Sequence, residues 1–201
     1  MGCAGFGRKS GRKMAVAAPF PPVACHDLLR QRPAPAPVPE SVAVIMSETR
    51  PSSVLFICLG NICRSPLAEG VMTEILRENG RDNGIVIDSA GTNGYHTGEP
   101  PDRRSIAVAA KYGIDISAQR CRQLVAADFT KFDLILGMDR RNLDAITQRR
   151  PSDSKARIGM FSLISLGREI EIPDPYYGGP EDFEHVYRMI LAASKAFAER
   201  F

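Results

Sequence analysis

Cys58 and Arg64 stand six positions apart in the run Cys58-Leu-Gly-Asn-Ile-Cys-Arg64-Ser65-Pro66. A thiolate is a nucleophile, and a guanidinium can fork two N–H bonds onto an oxyanion. The apolar run Val54-Leu-Phe-Ile57 ahead of them reads as a buried strand. Leu67-Ala-Glu-Gly-Val-Met-Thr-Glu-Ile-Leu-Arg77 behind them reads as a helix. A strand that turns sharply into a helix gathers backbone N–H groups and the positive end of the helix dipole at one point. A cysteine there is biased towards thiolate. The segment reads as a phosphate cradle with a nucleophile at its floor.

Cys-x5-Arg is a common spacing by itself, and the context gives it weight. Of the five cysteines only Cys58 has an arginine at that distance. Gly60 lets the backbone turn tightly, and Asn61 tolerates left-handed dihedrals. Ser65 can hydrogen-bond the sulfur or cap the helix, and Pro66 suits a first helical turn. The bland alternative is a buried strand-end cysteine beside an ordinary capping serine. A nucleotide-binding loop of the Gly-x4-Gly-Lys-Ser/Thr type is absent, and no Gly-x-Gly-x-x-Gly follows a strand. The cradle therefore reads as holding a phosphoryl group for chemistry at sulfur.

Thiolate attack on phosphorus expels an alkoxide or phenolate, which leaves poorly unless protonated, so a general acid is expected on a loop over the cradle. The candidate is Asp174 in Ile172-Pro-Asp-Pro-Tyr-Tyr-Gly-Gly179, stiffened by proline on both sides. Tyr176 and Tyr177 add aromatic walls for a flat substrate ring. Taken alone, the segment reads first as a plain Asp-Pro turn before a helix, and only the cradle upstream reverses that.

The elements that must position these groups follow from the pattern. Val54–Cys58 is strand one, and helix one runs from Pro66 to about Asn79. Strand two starts at Ile85-Val-Ile87 and enters Asp88-Ser89; a polar loop covers Asn93 to Pro101. Asp102 caps a helix over Arg103–Tyr112. Asp133–Met138 is strand three, Asp139 caps Arg140–Arg149, and Arg157–Phe161 is strand four. A last helix spans Pro180 to Arg200, with Phe183, Val186, Tyr187, Ile190, Leu191, Ser194 and Phe197 as its core stripe. Alternating strands and helices imply an α/β fold: three layers, α/β/α, around a four-stranded parallel sheet. Ligands of such sheets bind at the carboxyl ends of the strands, where Cys58 sits.

Composition narrows the class. The 201 residues carry a formal charge of +3. Residues 1–45 hold six basic against two acidic residues, and the remainder 20 basic against 21 acidic, so the body is no nucleic-acid binder by charge. The cysteines follow no disulfide or zinc spacing, and His26, His96 and His185 are scattered and read as surface groups. No apolar stretch reaches the ~20 residues of a membrane span. A reducing compartment suits a working thiolate. Residues 1–50 are rich in Pro, Ala and Arg and are expected to be disordered. They are an inert tail or a start-site artefact ahead of Met46, an organellar transit peptide, or a lipidated start at Met1-Gly2-Cys3; Phe6 argues against the last.

With these residues assembled, the chain from about Ser52 to Phe201 resembles the low-molecular-weight protein tyrosine phosphatases. Val54 to Pro66 matches that family's phosphate loop, and Asp174-Pro-Tyr-Tyr177 its acid loop. Asp88-Ser89, Gly98, Pro101-Asp102 and Met138-Asp139-x-x-Asn142-Leu143 follow in the family's order. The larger tyrosine phosphatases place His before the cysteine, where Ile57 stands here. The resemblance implies a phosphatase domain over residues 51–201 that hydrolyses phosphotyrosine and small aryl phosphates, without metal or organic cofactor. It implies Cys58 as nucleophile, Arg64 and the loop amides of residues 59–65 as phosphate ligands, and Asp174 as acid and then base. Leu59, Gly60, Ile62, Cys63, Tyr95, Tyr176 and Tyr177 would form the binding cleft. Asn61, Ser65 and Ser89 would brace the loop. Family members often carry a histidine in that brace ahead of an Arg-Gln pair; here Gln119 stands in its place, before Arg122-Gln123. Cys63 would trap an oxidised Cys58 as a disulfide, or else pack as a small residue under the loop. Phosphotyrosine proteins are the expected partners, with a cytoplasmic, monomeric enzyme, or an organellar one if the extension is a transit peptide. The rivals on this scaffold are a protein-arginine phosphatase, which has Thr where Ile62 stands, and an arsenate reductase. The latter needs two relay thiols, and only Cys121 lies downstream of the loop. A non-catalytic phosphate-binding module would need neither Asp174 nor a cysteine.

Overall fold

The computed structural model describes residues 50–82 and 84–200. All of the expected disordered extension except its last residue lies outside that range. Six residues, Ser53–Cys58, form β1, every one of them buried. Such an unbroken apolar strand belongs in the middle of a parallel sheet covered on both faces. The remaining strands are β2 (Val86–Gly91), β3 (Leu134–Gly137) and β4 (Arg157–Met160). All pairings are parallel, in the order β2-β1-β3-β4.

The helices are α1 (Arg64–Glu78), α2 (Arg103–Lys111), α3 (Asp128–Lys131), α4 (Arg140–Arg149), α5 (Phe161–Leu166) and α6 (Pro180–Arg200). Side chains alternate across β1, and the core divides accordingly. Val54 and Phe56 pack with Leu67, Val71 and Met72 of α1 and with Phe183, Val186, Ile190 and Phe197 of α6. Leu55 and Ile57 face the other way, against Phe129, Phe132 and Ile146 beside α3 and α4. Three layers result, α/β/α, as the pattern of elements implied. Phe56 meets Phe161 edge-on at 4.9 Å.

Caps follow the sequence closely. The Asp102 side chain accepts from Arg104 N–H at 2.8 Å and starts α2, and the Asp139 side chain accepts from Asn142 N–H at 2.7 Å and starts α4. Two short helices depart from the expected pattern. α3 is a single turn, too short to show a period. Phe161, expected to end strand four, instead begins α5, which carries no side-chain cap. Six residues that read Phe-Ser-Leu-Ile-Ser-Leu are indistinguishable by period from a strand end. No described helix is long and apolar enough to cross a membrane.

Register fixes where the strands end. Cys58 lies opposite Gly91 of β2, and Ile57 opposite Gly137 of β3, so the carboxyl ends form one edge. Gly91 is there because nothing larger fits. A Cβ on it would come within 2.9 Å of Asn93 O and 3.0 Å of both Asn61 N and the Gly60 carbonyl carbon. Gly91→Ala is therefore expected to push the Cys58 loop away from β2. Urea unfolding is expected to show a loss of about 1–3 kcal/mol.

Candidate active site

Between β1 and α1 the chain must reverse within five residues. It does so through Asn61, the one described non-glycine residue with positive φ, at 57°. Asparagine is among the few side chains that tolerate this region. Its side chain is fully used. Oδ1 accepts from Arg122 N–H at 2.9 Å, and Nδ2 donates to Ser65 Oγ at 2.9 Å and Ser89 Oγ at 2.8 Å. The Asn61 carbonyl accepts from Cys121 Sγ at 2.7 Å. Ser65 Oγ lies 3.0 Å from Cys58 Sγ. With Asn61 occupying one of its lone pairs, the Ser65 hydroxyl hydrogen can turn to the sulfur at 3.0 Å or to the more distant Ala90 carbonyl at 3.4 Å.

No side chain caps the N-terminus of α1, whose N-cap position is Cys63. Its first-turn N–H groups and dipole are left to serve an anion. Arg64 opens the helix and is 2% exposed. Its Nη1 donates to Asp139 at 2.5 Å and to the Ile172 carbonyl at 3.0 Å, and Nη2 donates to Asp174 at 2.8 Å. Burial works against the Arg64 charge, but Cys58, Asp174 and Asp139 outweigh it and hold its pKa above the ordinary value. Its buried Nε has no partner. A buried donor in that condition gains from any oxyanion that reaches it.

Cys58, Arg64 and Asp174 line one cavity of about 320 Å³. Leu59, Gly60, Ile62, Cys63, Tyr95, Tyr176 and Tyr177 line it too. Tyr95 and Tyr177 stand at the rim, 86% and 97% exposed, and Tyr176 meets Tyr177 edge-on at 5.0 Å. Asn61, Ser65 and Ser89 do not face the cavity; they are buried behind the loop. Burial pushes the Cys63 thiol well up, with the charges of Cys58, Asp102 and Asp174 adding to it. Burial likewise raises Cys121 to about 11. Among the described residues no cluster of three or more His, Cys, Asp or Glu could hold a metal ion.

Gln119 bonds the end of the loop segment, at Pro66, and not the Asn61, Ser65 and Ser89 side chains. Its Nε2 donates to the Pro66 carbonyl at 3.2 Å, and its buried Oε1 is unpartnered. An ionisable group, Glu69, joins the brace and accepts from Ser89 Oγ at 2.6 Å. Burial raises its pKa to about 7 against the Ser89 hydrogen bond; Asp88 adds to the rise and Arg122 opposes it. Sequence reasoning missed Glu69 because a glutamate one turn into an amphipathic helix looks like a solvated charge. Asp139 was legible only as a cap, and its grip on Arg64 spans 75 positions. Asn93 and His96 also line the cavity, so His96 is more than the scattered surface group expected. Its Nδ1 pairs with Glu99 at 2.7 Å.

A buried cysteine on an anion-binding turn, an arginine beside it and a carboxylate across the cavity define a phosphatase of the cysteine-dependent class. The chain belongs to the low molecular weight phosphotyrosine protein phosphatase family, whose model matches residues 53–201. The human low molecular weight phosphotyrosine protein phosphatase is 39% identical over 157 residues, 77% of this chain and 99% of that protein. A protein tyrosine phosphatase structure from Entamoeba histolytica, with Hepes in its active site, is 35% identical with a TM-score of 0.69, covering 73% of this chain and 94% of the other. A Drosophila arginine phosphatase structure is 28% identical with a TM-score of 0.67, covering 73% and 95%.

The raised Glu69 pKa has a signed consequence for stability. A carboxyl group with a folded-state pKa above its unfolded value stabilises the fold below about pH 4.5, the ordinary value, and loses that contribution as pH rises through about 7. Glu69→Gln keeps an acceptor for Ser89 and cannot ionise. Its melting temperature is expected to exceed that of the wild type by a few degrees at pH 8, with the gap closing by pH 5; thermal unfolding across that range checks it.

Proposed function

We propose that the protein hydrolyses phosphotyrosine in protein substrates through a phosphocysteine on Cys58. The observation that carries this reading is the convergence of Cys58, Arg64 and Asp174 on one cavity at an uncapped helix start. Cys58 sulfur attacks phosphorus in line as the bond from phosphorus to the phenolic oxygen breaks. Asp174 gives its proton to that oxygen, so a neutral phenol leaves. Arg64 and the loop N–H groups hold the equatorial oxygens as charge spreads over them. Asp174, now a carboxylate, takes a proton from water; the water oxygen bonds to phosphorus, and the bond to sulfur breaks to release phosphate. Leu59, Ile62, Tyr176 and Tyr177 supply the apolar walls that suit a flat ring. Their chemistry, and the family, support phosphotyrosine proteins as the substrate class; the reading is completed by a cytoplasmic, monomeric enzyme whose phosphatase domain covers residues 51–201.

Similarity to an arginine phosphatase structure keeps phosphoarginine as the second reading. The apolar Ile62 at the cavity wall favours the phenolic ring over it. Turnover of p-nitrophenyl phosphate, a phosphotyrosine peptide and phosphoarginine separates the two. The aryl esters are expected to be the better substrates. Cys58→Ser is expected to abolish turnover of all three. Asp174→Ala is expected to lose roughly 10²–10⁴-fold on the phosphotyrosine peptide, whose phenol leaves poorly. Undiminished hydrolysis by Cys58→Ser would remove the mechanism.

Redox control belongs to the same site. Peroxide oxidises the Cys58 thiolate to a sulfenic acid; the Cys63 thiol then condenses with it, forming a disulfide and releasing water. Both cysteines line the cavity. Peroxide is expected to inactivate the enzyme and dithiothreitol to restore it, with Cys63→Ser recovering far less. Equal recovery in that variant rejects the role.

A further inference from the structure

Arg104 lies outside the cavity, yet it is bonded towards both loops that form it. Its Nε and Nη2 donate to the two carboxylate oxygens of Asp102 at 3.0 and 2.8 Å. Asp102 is tied in turn to the phosphate loop, where its backbone N–H donates to the Ile62 carbonyl at 2.8 Å. On the opposite side Arg104 Nη1 donates to the Gly178 carbonyl at 3.1 Å. Gly178 closes the loop that carries Asp174 and the two tyrosines. The guanidinium also lies over the Phe183 ring at 4.4 Å and stands 5.7 Å from the Tyr176 centroid. Three donors and a flat face are thus engaged at once, a task that only the planar fork of arginine performs.

This bridge matters because of what happens to Arg64 during turnover. In the free protein Asp174 is steadied by Arg64 Nη2 at 2.8 Å. A phosphoryl group on Cys58 competes for the same donor. Once Arg64 turns to the phosphoryl oxygens, Asp174 has to be held by its own loop. The near end of that loop is anchored to the sheet by Ile172 N–H donating to the Met138 carbonyl at 2.9 Å. Arg104 anchors the far end.

We propose that Arg104 is a positioning residue that locks the acid loop to the phosphate loop through Asp102, keeping Asp174 over the leaving oxygen after Arg64 is engaged by phosphate. The inference rests on Asp174 being the general acid. The plain alternative is that Arg104 only steadies the start of α2.

The test is the dependence of kcat/KM on the leaving group, since that constant reports the step that expels the phenol. Aryl phosphates ranging from strongly to weakly acidic phenols are compared for the wild type, Arg104→Lys, Arg104→Gln, Asp174→Ala and the Arg104→Gln/Asp174→Ala double variant. The Arg104 variants are expected to lose about tenfold or more with the weakly acidic phenols and little with the most acidic. In the Asp174→Ala background the second change is expected to cost little more. A uniform loss across the series, a loss confined to KM, or full additivity with Asp174→Ala overturns the proposal. Arg104→Lys retains charge and ring contact, so it reads out the fork even if Arg104→Gln does not fold. A steep Asp174→Ala series beside flat Arg104 series removes this inference alone. A flat Asp174→Ala series removes the acid assignment and this inference together.

Discussion

A left-handed turn at Asn61 lets the chain leave the central strand and enter a helix within five residues, and the chemistry of the site depends on its being held. Backbone in that region is costly for most side chains, and here it is overdetermined. Four hydrogen bonds, three through the side chain and one through the carbonyl, tie Asn61 to Ser65, Ser89, Arg122 and Cys121. Three of those partners sit on β2 (Ser89) and on the segment leading to α3 (Cys121 and Arg122), so the sheet edge clamps the loop. Arg122 is fixed in turn by Asp88 and Asp128, each at 3.0 Å. The thiol at the floor is positioned by the whole of this frame, through Ser65.

Charge is arranged on the same principle. Arg64 is a buried cation, and a lone buried charge would be severely penalised. Asp139 holds one edge of its guanidinium from the start of α4, and Asp174 holds another from the acid loop. The two carboxylates differ in exposure, 18% against 40%, and that difference divides their work. The more buried Asp139 pairs with Arg64 away from solvent. In the mechanism proposed, the more open Asp174 gives up its bond to an incoming phosphoryl group and remains available for proton transfer. The acid loop is held at one end by Met138, just past β3, and at the other by Arg104 of α2, while its middle faces the cavity.

Behind the loop the hydrogen-bonded path from Asn61 ends on a carboxyl group. Glu69 sits at the end of the path from Asn61 through Ser89, and burial raises its pKa to about 7. Gln119 lies beside that path and donates to the Pro66 carbonyl in the first turn of α1. The brace thus has an ionisable member on α1.

Local pattern alone established a good deal. The apolar run of β1, the Gly60-Asn61 turn, the start of α1 and the capping aspartates at 102 and 139 are decided by neighbours in the chain. Dihedral preference, period and side-chain reach act over only a few residues. Those same signals place Cys58 and Arg64 together, since both lie on one short loop. What only tertiary structure decided is everything joined across the sheet: Asp139 and Asp174 on Arg64, Glu69 on Ser89, and Arg104 between the two loops. Gly91 could be read as a glycine but not as the point where β2 nearly touches the loop. These contacts link residues tens of positions apart, and their partners are chosen by strand order and register. Packing of two cores against β1 sets that register, and no local spacing encodes it.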